Sequence, residues 1–179
     1  SALLSDGGIA ADKPQFCVEP HNEPFDKAEL AEEMVAQTRE AISQQSGGEF
    51  SFTVNNTDRS IGARLSGEIA KQHGNYGMAN APITINLSGS CGQSFGVWNA
   101  GGLHMRLAGD ANDYVGKGMT GGELIITPPE NSQFASQEST IIGNTCLYGA
   151  TGGKLYASGL AGERFAVRNS GAITVVEGA

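Results

Sequence analysis

A short glycine unit recurs along the second half of this chain and constrains its fold more than any other feature. Ala100-Gly101-Gly102-Leu103, Thr120-Gly121-Gly122-Glu123-Leu124, Thr151-Gly152-Gly153-Lys154-Leu155 and Ser170-Gly171-Ala172-Ile173 are variants of one pattern. Their first glycines lie 20, 31 and 19 residues apart. The long interval holds a polar, Pro-containing segment, Pro128 to Glu138, which reads as a loop inserted into one repeat. Each unit precedes a short alternating run: Leu103/Met105/Leu107, Leu124/Ile126, Leu155/Ala157 and Ile173/Val175. Ile83/Ile85/Leu87 and Ile61/Ala63/Leu65 extend the series toward the N-terminus. Further strands are expected at Phe95/Val97, around Ile141 and at Phe165/Val167. Alternation of this kind puts every second side chain on one face, and glycine supplies the positive φ that tight corners need. The pattern predicts a β-solenoid with coils of about 20 residues. A doubly wound α/β fold is disfavoured, because such short repeats leave no room for a helix between strands. A β-sandwich leaves the recurrent glycine unit unexplained.

The 179 residues divide into two parts of different character. Residues 1–50 carry 10 acidic and 3 basic residues and 4 glycines; residues 51–179 carry 9 acidic and 8 basic residues and 22 glycines. In the front part residues 1–24 form an extended segment, with Pro14, Pro20 and Pro24 breaking residues 12–24. An amphipathic helix with its cap is predicted over 25–48. Asp26 is the N-cap, Glu29 closes a capping box, and Phe25 and Leu30 form a hydrophobic staple. Leu30, Ala31, Met34, Val35, Thr38, Ala41 and Ile42 share one face, and Gly47-Gly48 ends the helix. The acidic face is either a docking surface or simply solvated. Residues 49–179 form the repeat body. It ends on the uncapped β-branched run Ile173 to Val176.

Composition excludes several classes. A net charge of −8 argues against nucleic acid and anionic membranes as partners. No apolar run reaches the roughly 18 residues of a spanning helix, and Ser1 to Ala11 lacks the layout of a signal peptide. Three cysteines, Cys17, Cys91 and Cys146, lack metal-binding spacing and suit a reducing, cytoplasmic compartment.

The motifs that look chemical are weak. Gly116-Lys117-Gly118-Met119-Thr120-Gly121 matches G-x-G-x-x-G, but Leu124-Ile125-Ile126 and Pro128-Pro129 follow where a dinucleotide site needs a helix. Gly149 to Lys154 is one residue short of a phosphate loop, and Leu155 stands where Ser or Thr should ligate magnesium. Asp110, Asn112 and Asp113 lack the late Glu of a calcium loop and suit a turn. His21, His73 and His104 have no partner spacing, and Cys146 has no evident base. No catalytic, cofactor-binding or metal-ligating residue is assigned.

Longer stretches carry a resemblance. Gln93-Ser94-Phe95-Gly96-Val97-Trp98-Asn99-Ala100-Gly101-Gly102, the run Gly109 to Met119, the run Ile142 to Gly153 and the run Gly162 to Gly178 resemble the C-terminal domain of the glutamate synthase large subunit. Asn56 to Ala63 and Ser66 to Ala70 also fit. The resemblance covers roughly residues 14–178; further glycine-rich coils follow in that family, so it implies that the 49–179 body is shortened at its C-terminal end. It implies an all-β right-handed parallel β-helix, preceded here by an N-terminal segment with one helix. It implies a non-catalytic structural role in an oxidoreductase of glutamate biosynthesis from glutamine and 2-oxoglutarate. The glutaminase domain and the synthase domain, with its FMN and iron–sulfur cluster, would be partners in the same polypeptide, with no cofactor held by this chain. The open C-terminal coil offers a second route, self-association. The alternatives are a free-standing solenoid that binds a ligand or protein, and a sugar-active solenoid enzyme.

Overall fold

The computed structural model describes Gly8, Asp12, Lys13, residues 29–74 and residues 76–179. The extended segment, the caps at Phe25 and Asp26, Cys17 and His21 lie outside the described residues. Helix α1 covers Glu29–Ser43. It buries Met34, Val35, Thr38 and Ile42, and Leu30 and Ala41 pack beside them. The Thr38 hydroxyl donates to the Met34 carbonyl at 2.8 Å, so a polar residue sits in the apolar face without an unmet donor. After Gly47, which takes φ 67°, the chain enters β1, Gly48–Val54.

Then comes helix α2, Ala63–His73, followed by β2 (Ile83–Cys91), β3 (Leu103–Ala111), β4 (Thr120–Thr127), a short 3-10 turn (Ser136–Glu138), β5 (Thr140–Ile142), β6 (Gly152–Ala161) and β7 (Ile173–Gly178). All pair in parallel in one seven-stranded sheet. The order is β1-β2-β3-β4-β6, with β7 and β5 both on β6 and β5 also touching β3.

The expected all-β right-handed parallel β-helix is therefore corrected. The chain forms a parallel sheet accompanied by helices, an α/β arrangement. The alternation Ile61/Ala63/Leu65, read as a strand, belongs to α2 and the turn before it. Leu65, Ser66 and Ile69 are the buried face of that helix, spaced at 1, 3 and 4 residues as a helix requires. The connection from β1 to β2 thus has the helical crossover that the repeat length seemed to forbid. The segments around Phe95/Val97 and Phe165/Val167 are turns rather than strands. β1 itself had no place among the expected strands.

The repeat survives as pairing register. Ile83 pairs with Leu103, Met105 with Leu124, Leu124 with Leu155 and Leu155 with Thr174, offsets of 20, 19, 31 and 19 residues. The 31-residue step absorbs the polar segment 128–138 while the strands on either side keep register. Matching register stacks like on like inside. Ile85, Met105, Leu124 and Leu155 form one buried row, and Leu87, Leu107, Ile126 and Ala157 the next. In β7 the phase is inverted from expectation. Thr174 and Val176 continue these rows, whereas Ile173 and Val175 are 61% and 60% exposed. A one-residue change of phase swaps the two faces of a strand.

α1 packs on α2, joined outside by Arg64, whose guanidinium donates to Glu32 and Glu68. The side-chain hydrogen bond from Arg64 holds the Glu68 carboxyl below its ordinary range. His73 ties the two helix ends, with Nε2 2.7 Å from the Ile42 carbonyl and Nδ1 2.9 Å from Gln45 Nε2.

Candidate functional site

The most distinctive local structure lies in the turns between strands. In each, alternate residues take left-handed φ. The sets are Ser94, Gly96 and Trp98 (66°, 68°, 54°), then Tyr114, Gly116 and Gly118 (64°, 64°, 63°), then Thr145, Leu147 and Gly149 (57°, 58°, 66°), and finally Arg164, Ala166 and Arg168 (59°, 57°, 58°). Left-handed non-glycine residues are uncommon and cost of order 1–3 kcal/mol each unless their surroundings hold them. Here the holding is mutual. Tyr114 and Gly118 donate their N–H groups to the carbonyls of Asn144 and Tyr148 in the next turn, while Gly116 donates back to Phe95. The scheme repeats with Thr145 to Glu163, Gly149 to Val167 and Leu147 to Val115. The turns are thus laddered to one another as the strands are.

Side chains brace the ladder at two places. Asp113 Oδ1 accepts from the Asn144 N–H at 2.7 Å, and Asn144 Oδ1 accepts from the Glu163 N–H at 2.8 Å. Asn99 is fully buried, and its Nδ2 donates to the Leu103 and Gly121 carbonyls at 2.9 and 3.0 Å. Its Oδ1 has no partner among the described residues. Asn169 occupies the matching place before Ser170-Gly171. It donates to the Ala172 carbonyl at 2.9 Å and accepts from the Ala172 N–H at 2.9 Å. The recurrence of Asn before a glycine unit was the available signal for these braces.

The motifs singled out in the sequence fall into this framework. Gly116 and Gly118 are left-handed turn residues, and β4 follows them, so no helix opens where a dinucleotide would need one. Gly149 to Lys154 runs from a turn into β6. Asp110 accepts the Ser90 hydroxyl at 2.6 Å, and Asn112 accepts the Asp113 N–H at 2.8 Å. These oxygens bind neighbouring protein groups rather than converging on a point. Among the described residues no three His, Cys, Asp or Glu side chains gather in a metal-like group. His73 and His104 sit in different elements, His104 opposite Glu123 on the partly exposed face. Cys91 and Cys146 are buried free thiols, and burial pushes both up to about 12. A thiol in that state is a poor nucleophile. No helix among the described residues is long and apolar enough to cross a membrane.

What the structure offers instead is surface. A groove of about 300 Å³ runs between α2 and the turn that carries Trp98. Its floor is Ala63, Gly67 and Ala70 of α2 with Gly74 just after the helix, and its other bank is Trp98, Gly118 and Thr120. Trp98 is 64% exposed. Nothing in its sequence pattern marked it, because it falls within a turn read as a strand.

Comparison with known proteins follows the same frame. The chain is 56% identical over 141 residues to ferredoxin-dependent glutamate synthase 2 of Synechocystis sp., covering 79% of this chain and 9% of that one. It is 58% identical over 123 residues to glutamate synthase [NADH] of Schizosaccharomyces pombe, with 69% and 6% covered. It is 48% identical over 145 residues to the glutamate synthase [NADPH] large chain of Azospirillum brasilense, with 81% and 10% covered. The chain thus spans about a tenth of the length of the curated relatives it matches. The GXGXG motif family matches residues 29–179, which takes in α1, α2, the whole sheet and every laddered turn. With that match over most of its length, and with relatives that are glutamate synthases, the chain belongs to the GXGXG motif family as a glutamate synthase GXGXG domain.

Proposed function

We infer that this domain serves as the structural, non-catalytic part of a glutamate synthase, holding a glutaminase domain and an FMN- and iron–sulfur-bearing synthase domain in register within one cytoplasmic polypeptide. The observation that carries the reading is the similarity to relatives about ten times longer, matched at 48–58% identity over 123–145 residues. In the described residues the conspicuous polar side chains, Asp113, Asn144 and Asn99, are spent on main-chain partners within the fold. That use supports a scaffold rather than a reaction centre. The three relatives named differ in the electron donor that their names give, ferredoxin, NADH or NADPH. Similarity to this chain thus spans enzymes named for each of these donors.

The test uses a full-length glutamate synthase that contains this domain. Glutamine hydrolysis and ammonia-dependent glutamate formation are assayed separately, alongside the coupled reaction. Replacing Asn99 by Ala should lower the coupled rate and the thermal midpoint while leaving each half-reaction measurable below that midpoint. Selective loss of either half-reaction in a folded enzyme, with flavin content unchanged, would assign chemistry to this domain and refute the scaffold reading.

A further inference from the structure

Strand β1 ends the sheet on one side and leaves an edge open. Its seven residues, Gly48–Val54, pair with β2 one for one and without a register shift. Gly48 donates to the Pro82 carbonyl. The direction of hydrogen bonding alternates along a strand, so Phe50, Phe52 and Val54 also turn their main-chain groups toward β2. The N–H and C=O groups of Glu49, Ser51 and Thr53 point the other way, off the edge. These groups have no main-chain partner among the described residues, and all three residues are exposed. A row of this kind is a template for another strand unless Lys, Pro or a bulge blunts it. β1 carries no Lys, no Pro and no bulge. At the other end of the sheet, by contrast, the pairing of β7 with β6 shifts register between Ala157 and Leu160.

A groove of about 490 Å³ lies along this edge. Leu30 and Glu33 of α1 form one side, and Ser51, Phe52 and Thr53 of β1, with Ser88 of β2, form the other. Two of the three outward-facing residues of the edge therefore open into it. Leu30 and Phe52 are only half-buried, so apolar surface remains to be covered. The charge here has one sign, since no Lys or Arg lines the groove. Glu33 accepts from Gln37 Nε2 at 2.9 Å, and Glu49 accepts from Asn86 Nδ2 at 2.6 Å, both neutral donors. Neither carboxylate forms an ion pair among the described residues.

Unpaired main-chain groups in a line select an extended strand as the occupant; a helix has already spent its own main chain on itself. A second copy of this chain fits poorly. Symmetric antiparallel pairing centred on Ser51 sets the Glu49 of each copy opposite Thr53 of the other, beside Glu33, and like charges brought together oppose association. We propose that the β1 edge binds an extended basic segment of a partner polypeptide by strand addition. The main chain of that segment pairs with Glu49, Ser51 and Thr53, an apolar side chain covers Leu30 and Phe52, and a Lys or Arg side chain sits beside Glu33.

The probes are blocked, dye-labelled peptides of seven residues, the length of β1. One alternates valine with lysine and one alternates valine with glutamate. A third is the lysine peptide N-methylated along its backbone, which keeps the side chains and loses the donors. Fluorescence anisotropy with the 179-residue chain gives affinity, and amide exchange by NMR gives the contact. In the free chain the Phe50 and Phe52 amides should be protected while those of Glu49, Ser51 and Thr53 exchange fast. The lysine peptide should bind saturably, at least tenfold more tightly than the glutamate peptide, and should protect those three amides. Ser51→Pro removes one outward donor at an edge position, where proline is tolerated. It should weaken binding at least tenfold while circular dichroism and the Phe50 and Phe52 protection persist. Glu33→Lys should reverse the preference between the two peptides. Equal binding of the N-methylated peptide, equal affinity for both charges, unchanged affinity in folded Ser51→Pro, or no new protection at the three amides would overturn the proposal. So would protection of those amides in the free monomer, or a concentration-dependent dimer that protects them, since either gives the edge to this chain itself.

Discussion

Two glycines of one turn-to-strand junction separate backbone strain from steric contact. Gly149 and Gly153 both take positive φ, 66° and 93°. A Cβ on Gly149 would meet nothing within 4 Å. A Cβ on Gly153 would lie 2.4 Å from Met119 Cε and 2.8 Å from the Gly121 carbonyl oxygen. Gly149→Ala therefore incurs only the left-handed penalty for a side chain, about 1–2 kcal/mol. Gly153→Ala adds a contact on two sides. Met119 Cε is the end of a flexible chain, but Met119 is fully buried and has little space to retreat. The Gly121 carbonyl is backbone next to β4's pairing with β6. Overpacking of this kind adds typically 1–3 kcal/mol, so the total is about 2–5 kcal/mol. Gly67→Ala serves as the opposite control. It lies inside α2 in open space, so it should stabilise by up to about 1 kcal/mol. The assay is urea unfolding followed by Trp98 fluorescence and by far-UV circular dichroism, with coincident curves required before midpoints are converted. The expected order of midpoints is Gly67→Ala, wild type, Gly149→Ala, Gly153→Ala. Equal midpoints for the Gly149 and Gly153 variants would refute the steric part of the argument. A Gly149 variant as stable as wild type would refute the strain part.

Other outcomes follow from the same structure. Asn99→Leu strips two carbonyls of their buried donor and should cost about 2–4 kcal/mol by urea unfolding, whereas the exposed Ser132→Ala should stay within about 0.5 kcal/mol. In a Cys17→Ser background, Cys91 and Cys146 should resist a thiol reagent at pH 8 until denaturant is added, since burial holds both protonated. Because the folded thiols keep their protons up to about 12 and unfolded ones release them near 9, the thiols' contribution to stability should fall as pH rises through that window; flat stability from pH 9 to 11 would contradict it. Limited chymotrypsin should cut first after Phe134, which is exposed in the segment between β4 and β5, and leave the remaining body folded by circular dichroism.

How much of this was legible in the sequence depends on which physical rule each segment obeys. The interval between glycine units translated into register to within a residue, and the 11-residue excess at Pro128 to Glu138 translated into the long step between β4 and β6. Inward positions such as Leu103, Met105 and Leu124 followed from period-2 alternation. The reading failed where a local pattern fits two periods. Ile61, Ala63 and Leu65 alternate, yet Leu65 and Ile69 share a helical face, and a segment that short does not decide between them. It failed again at Phe95/Val97 and Phe165/Val167, because alternation of left- and right-handed residues also places side chains with period 2. Glycine betrays such a turn at Gly116 and Gly118. At Arg164, Ala166 and Arg168 no glycine marks the conformation, and only the hydrogen bonds to the neighbouring turn sustain it. Of the candidate surface, the α2 row was hidden by the same misassigned period, and Trp98 by its place in a turn.

The near-constant pairing offset bears on how fast the domain reaches its structure. Strands of a parallel sheet usually meet across long connections, and closing such loops slows folding. Here most partners are 19 or 20 residues apart, about a ninth of the chain length, which lies in the range of helical proteins on the contact-order scale. The exceptions are the 35-residue step between β1 and β2 and the 31-residue steps from β3 to β5 and from β4 to β6. Loop-closure entropy grows only logarithmically, so each of these steps costs only about 0.4–0.5 kcal/mol more than a 20-residue one. Each strand can therefore dock on a strand made shortly before it, and no pairing spans more than about 35 residues. A polypeptide several times longer could accommodate this domain without its strands having to wait for remote segments to be synthesised.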